Sequence, residues 1–189
     1  VSTPGQKTCE QVSAFLKVPL TGKVKLLVVK GADGGLVAIA LRGDHSLNEI
    51  KAAKHPKIAS PFMLANPAEV QAAFGAEVGY LGPVGVPANV PVIADYAAAA
   101  VADFVCGANH EDAHLVGVNW GRDLPEPSLV TDLRNVVEGD ASPDGKGVPV
   151  SAPEHPTVHL QMAFDDFIQL GCGRTRPDRT PAQARARIQ

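Results

Sequence analysis

Two apolar runs joined by a tight polar turn constrain this chain more than any other feature. "KVKLLVVKG" (23–31) and "GLVAIALRG" (35–43) are strand-length and rich in Val, Leu and Ile, and "ADGG" lies between them. Asp33-Gly34 is a strong hairpin signal. Such a hairpin needs partners to cover its apolar faces, and the rest of the chain supplies them. "CEQVSAFL" carries Cys9, Val12, Phe15 and Leu16 at helical spacing. Ser46 to His55 reads as a helix, capped by Asp44 or Ser46 and stopped by Pro56. "NPAEVQAAF" is a capped helix with Pro67 in its first turn. "KIASPFML", "VPVIAD" and "HLVGVNW" read as strands, and "YAAAAVADFVCGAN" as a short helix or a strand. "GYLGPVGVPANVP" has too much Gly and Pro for regular structure. Strands and helices mix without strict alternation. The expected class is therefore α+β, with a mixed, largely antiparallel sheet flanked by helices.

Bulk properties narrow the function. The 189 residues suit one domain with a real core. Aromatics are only 5%, so Val, Ala, Leu and Ile must build that core. A net charge of -3 argues against holding nucleic acid by bulk electrostatics; any nucleic acid would be gripped at a few points. Cys9, Cys106 and Cys172 are odd in number and widely spaced, without a CxxC pair. They offer neither a zinc signature nor a disulfide framework, and a reducing cytosol suits them. No apolar run approaches the ~20 residues of a membrane span, and no signal-peptide pattern leads the chain. A first residue Val1 rather than Met points to an excised or processed piece. Beyond about Val148 the character changes to a proline-rich linker and an arginine-rich end, read as disordered.

The familiar catalytic signatures are missing: no G-x-S-x-G, no HExxH, no phosphate-binding loop, no dinucleotide fingerprint. His110 and His114 stand four apart in loop-like sequence, so no metal site is expected. What remains are polar residues at strand ends, each with a plain structural explanation. Lys25 suits the outer face of a half-exposed strand. Asp95 suits a turn. His114 suits a satisfied structural histidine. "RGDHSLNEIK" (42–51) suits a solvated turn and helix cap.

Taken together, "RGDHSLNEIK", "GYLGP", "GANHEDAHLVGVNW" and "RNVVEGDASPDGKG" resemble the insertion domain of bacterial prolyl-tRNA synthetase, a member of the YbaK-like aminoacyl-tRNA deacylases. The resemblance runs from about Ser2 to Gly147 and sets the expected domains: an editing domain at 1–147 and an unassigned tail at 148–189. It implies a YbaK-like sheet or barrel and hydrolysis of mischarged alanyl-tRNA(Pro), without cofactor or metal. The implied partners are the tRNA(Pro) acceptor 3′ end carrying alanine and the remainder of the synthetase. The implied location is the cytoplasm. A pocket shaped for proline discriminates weakly against alanine, because each missing methylene is worth only ~1–3 kcal/mol. A second, hydrolytic site supplies the rest.

Residue by residue, the resemblance makes Lys25 the essential lysine, holding the terminal adenosine's phosphate or the substrate. The loop Gly79 to Pro83, with Gly82 inside it, would offer backbone N–H groups to the aminoacyl carbonyl or amine. His114 would position the aminoacyl group or the terminal ribose, and Asp95 would meet the α-ammonium. Cys9 and Val12 would set the alanine size limit. Arg42, His45 and Asn48 are expected at the pocket mouth. The family has no side-chain nucleophile; water attacks, helped by a terminal ribose hydroxyl. Lys23 stands where the family more often has a pocket-lining threonine. A lysine pointing inward there would change pocket size and preference. The tail lacks the synthetase's class II continuation. Two rivals stand beside this reading: a non-catalytic tRNA- or synthetase-binding module, and a deacylase for another aminoacyl-tRNA, such as cysteinyl or seryl.

Overall fold

The computed structural model describes residues 1–137, Asp140, and the pairs 158–159 and 187–188. By contacts the chain divides into Val1–Val136 and Val137–Gln189. Within the second unit, Val158–His159 pairs antiparallel with Arg187–Ile188. The expected domain limit at 147 and nearly all of the tail lie outside the described residues.

The first unit is built on the hairpin foreseen above. β1 (Val24–Lys30) and β2 (Leu36–Arg42) pair antiparallel along their full length, from Val24 opposite Arg42 to Lys30 opposite Leu36. β3 (Val92–Asp95) joins β2 in parallel, and β6 (Leu129–Thr131) joins β3 in parallel. β4 (Phe104–Gly107) and β5 (His114–Val118) form a separate antiparallel pair, tied to the start of β1 by a bridge between Lys23 and Val105. Parallel and antiparallel pairings thus mix, as expected, with the antiparallel β1–β2 hairpin the most extensive of them. No barrel closes among the described residues.

β2 explains its own composition. Val37 to Leu41 are all buried, because both faces of the strand are covered. Ala38 and Ala40 face a core with Val24, Leu26, Leu81, Phe104 and Cys106. Ile39 and Leu41 face a second core with Val29, Ile93, Ala52, Ile58 and Leu133.

The helices are short. α1 (Cys9–Leu16) starts in a capping box: Thr8 Oγ1 accepts from Gln11 N, and Gln11 Oε1 accepts from Thr8 N. Val12 is buried but Phe15 is 49% exposed, so the foreseen apolar stripe is only partly used. α2 is Glu49–Ala53, shorter than 46–55, and its cap is Asn48, whose Oδ1 accepts from Lys51 N at 3.0 Å. Asp44 cannot cap it, because both its oxygens are taken by Arg42. α3 (Pro67–Phe74) has the expected capping box on Asn66 and Glu69. "YAAAAVADFVCGAN" divides into α4 (Tyr96–Ala99) and β4. "KIASPFML" is not a strand; it lies along β1 and its turn through the Gly31–Ile58 and Val29–Leu64 bridges and through backbone bonds such as Ala59 N to Lys30 O and Lys30 N to Met63 O.

Candidate active site

The start of β1, the first turn of α1, the 78–81 loop and the β4–β5 pair enclose a cleft of about 250 Å³. Its lining includes Cys9, Val12, Lys23, Lys25, Gly79 and His114, with Leu81, Cys106 and Gly107. Six of the residues singled out in the sequence therefore meet in one place.

The 79–83 loop is seated backbone against backbone. A Cβ on Gly82 would stand 1.9 Å from the Gly107 carbonyl oxygen, and one on Gly107 would stand 2.2 Å from the Tyr80 oxygen. Asn109 then staples the loop. Its Oδ1 accepts from Gly82 N at 2.9 Å, and its Nδ2 donates to the carbonyls of Gly82 (3.0 Å) and Val84 (2.7 Å). Asn109 N also donates to Tyr80 O at 2.9 Å. Sequence reading passed over Asn109; the one signal was its place in "GAN" after a strand, where Asn tolerates the left-handed φ of +52° it adopts. Gly82 N–H is occupied, whereas the N–H groups of Gly79 and Leu81, both cleft-lining residues, have no protein acceptor among the described residues. Gly79 holds φ +107° against Lys7, a backbone shape that suits glycine alone.

His114 is 4% exposed and is held by Thr3 Oγ1 at 2.7 Å from its Nδ1. Burial, reinforced by the nearby Lys23 charge, pushes its pKa down to about 4, so the ring is neutral at pH 7. Its Nε2 makes no hydrogen bond among the described residues. A neutral imidazole with one end anchored can donate or accept at the other. The same burial gives a pH signature. An unfolded histidine takes up its proton near pH 6.5, but the folded ring resists protonation until about pH 4. In that window the unfolded chain binds more protons, so stability falls as pH falls. Wild type is expected to lose on the order of 3 kcal/mol through His114 between pH 7 and pH 4. Denaturant melts of His114→Gln against wild type should show the smaller pH slope in the variant; parallel curves would contradict the burial.

The thiols offer no nucleophile. Burial pushes the Cys106 pKa up to about 12 and raises that of Cys9. Lys25 is half-buried, with its Nζ on the Gly43 carbonyl at 3.2 Å. Lys23 is the buried lysine, with its Nζ on the Cys9 carbonyl at 2.7 Å.

The other expected site residues lie elsewhere. Asp95 is 1% exposed, and both carboxylate oxygens are used: Oδ1 caps α4 at Ala97 N (3.0 Å), and Oδ2 accepts from Leu133 N (2.9 Å). Arg42 grips Asp44 with two bonds, and its Nη2 lies 2.9 Å from His45 Nε2. Gly43 touches the cleft, its carbonyl on Lys25 Nζ, whereas residues 46–51 pack on residues 132–135. Asn48 N donates to Leu133 O, Asn135 N donates to Ser46 O, and Lys51 Nζ reaches Asp132 Oδ2 and Arg134 O. The polar groups of "RGDHSLNEIK" thus divide: Arg42, Asp44 and His45 bond among themselves, Asn48 caps α2, and Ser46 O, Asn48 N and Lys51 Nζ seat the segment leaving β6, while the buried His45 Nδ1 has no partner among the described residues. Pro83 faces a neighbouring groove with Trp120 and Leu124.

A mixed α+β unit with one such cleft has the architecture of the YbaK-like editing proteins. A solved structure described as a candidate trans-editing enzyme for prolyl-tRNA synthetase shares this fold, with a TM-score of 0.61 at 21% identity over 72% of this chain and 85% of that one. The crystal structure of a hypothetical protein matches with a TM-score of 0.56 at 26% identity, over 71% of this chain and 89% of the other. The model of the aminoacyl-tRNA editing domain matches residues 3–124, and the chain belongs to that family. It is 54% identical over 154 residues to the proline–tRNA ligase of Azoarcus sp., covering 77% of this chain and 26% of the ligase. It is 55% identical over 148 residues to that of Thiobacillus denitrificans, covering 78% and 25%. The chain thus spans about a quarter of the length of these relatives.

Proposed function

We propose that this chain hydrolyses the ester of alanyl-tRNA(Pro), as the editing part of a prolyl-tRNA synthetase in the cytoplasm. The observation that carries this reading is the cleft itself: a small cavity lined by a neutral histidine, three lysines and the Gly79 and Leu81 backbone, whose N–H groups have no protein acceptor among the described residues, and by no thiol of lowered pKa. The ester carbonyl oxygen sits against Gly79 N–H and Leu81 N–H, which stabilise the negative charge that develops as water adds. Water attacks the carbonyl carbon, assisted by a ribose hydroxyl of the terminal adenosine. The C–O bond to the ribose breaks, the ribose oxygen takes a proton, and free alanine leaves. Lys25 binds the phosphate of the terminal nucleotide. His114 Nε2 orients the aminoacyl group or the ribose. No cofactor or metal takes part in this scheme, and the acceptor 3′ end enters from the side of Lys7 and Lys25.

The test is single-turnover hydrolysis of alanyl-tRNA(Pro) beside prolyl-tRNA(Pro), with seryl and cysteinyl esters in the same panel. Selective loss of the alanyl ester is expected. A folded chain that cleaves none of them would be a binding module, and one preferring another ester would be a different deacylase.

A further inference from the structure

Lys23 is the odd member of the cleft. An ammonium buried without a carboxylate costs free energy, and a group kept at such cost inside a cleft points to a role there. Lys23 is 3% exposed, and the one hydrogen bond of its Nζ among the described residues is to a neutral carbonyl, that of Cys9. The lysine and arginine ion pairs among the described residues fall on Lys7, Lys30, Arg42, Lys51 and Arg122 instead. Its backbone is fixed by the bridge to Val105. On the other side Gly43 is so close that a Cβ there would lie 3.0 Å from Lys23 Cβ. The side chain therefore crosses from the start of β1 to the first turn of α1, beside Cys9 and Val12, and forms one wall of the cavity. Burial lowers its pKa, which agrees with a position away from water.

We propose that Lys23 is a specificity-determining residue: its pinned aliphatic stem limits the cleft at the α1–β1 seam to a small aminoacyl side chain. This inference rests on the editing reading and adds a size gauge to it. The stem does the excluding; the Nζ bond to Cys9 holds it in place. Removing the stem opens room for the extra ring carbons of proline. Keeping the stem without the charge leaves the wall standing.

The experiment measures binding of non-hydrolysable amide analogues of alanyl- and prolyl-adenosine to wild type, Lys23→Ala and Lys23→Met, with circular dichroism to establish that each variant is folded. Wild type and Lys23→Met are expected to prefer the alanyl analogue. In Lys23→Ala the prolyl analogue should gain at least ~10-fold relative to the alanyl one, the size of effect that one or two methylenes carry in a pocket. A folded Lys23→Ala that keeps the wild-type preference overturns the inference while leaving the editing reading intact. Equal loss of preference in Lys23→Met also overturns it, because the charge and not the stem would then discriminate. If wild type binds neither analogue, the editing reading and the inference fall together.

Discussion

Gly82→Ala is expected to displace the 79–83 loop and take the cleft with it. The new methyl would have to occupy space 1.9 Å from a backbone oxygen, 2.9 Å from its carbon and 3.2 Å from Cys106 Sγ. None of these is the free end of a flexible side chain, so the loop must move rather than the neighbour. Overpacking of this kind costs about 3 kcal/mol, which for a domain of this size lowers Tm by on the order of 10 °C. The functional loss is expected to exceed the stability loss. Gly79 N–H and Leu81 N–H flank the displaced residue, and a shift of roughly 1 Å in such donors costs on the order of 100-fold in rate. Thermal melts and single-turnover hydrolysis of alanyl-tRNA(Pro) check the two halves. Wild-type melting and wild-type rate together would show that the loop does not sit as described.

Lys25→Ala is expected to do the opposite: little to stability and much to hydrolysis. The side chain is half-buried and contributes one hydrogen bond, 3.2 Å long, to Gly43 O. Losing it should cost no more than ~1 kcal/mol. If Lys25 grips the phosphate of the acceptor end, its loss leaves the ester unpositioned and should slow cleavage by on the order of 100-fold or more. Lys25→Arg should recover only part, because a planar guanidinium does not replace a compact ammonium held between a carbonyl and a ligand. A variant that melts like wild type and cleaves like wild type would move the anchoring role to Lys23 or Lys7.

The two lysines show where reading the sequence succeeds and where it stops. Both sit at the start of an apolar strand, and nothing local separates them. Resemblance to the family put weight on Lys25 and treated Lys23 as a departure. Tertiary packing buries Lys23 against α1 and leaves Lys25 nearer the surface, a distinction that depends on where the first helix docks. Asp95 and residues 44–51 lie outside the cleft lining for a related reason. A carboxylate at a strand end has the same sequence appearance whether it faces a substrate or caps the next helix. Only the placement of Leu133 N and Ala97 N decides, and these bonds use both oxygens. The resemblance places Arg42, His45 and Asn48 at the pocket mouth, whereas the residues by themselves suit a solvated turn and helix cap. Arg42, Asp44 and His45 bond among themselves, and Asn48 meets the segment after β6 through its backbone N–H on Leu133 O.

The sequence by itself determined the elements whose causes are local. The hairpin follows from two apolar runs around Asp33-Gly34, and α3 from Asn66-Pro67 and its cap. Family resemblance then placed Cys9, Val12, Lys25, Gly79 and His114 together, and the cleft contains all five. The tertiary structure alone decided what depends on approach between distant segments. It brought β3 and β6 into the sheet in parallel beside the antiparallel hairpin. It pressed Gly82 onto Gly107 and recruited Asn109 to hold the loop. It withdrew Asp95 and the polar stretch from the cleft and put Lys23 into its wall. Local propensity acts through neighbours a few residues apart, whereas burial and hydrogen-bond satisfaction are settled by which chain segment arrives opposite.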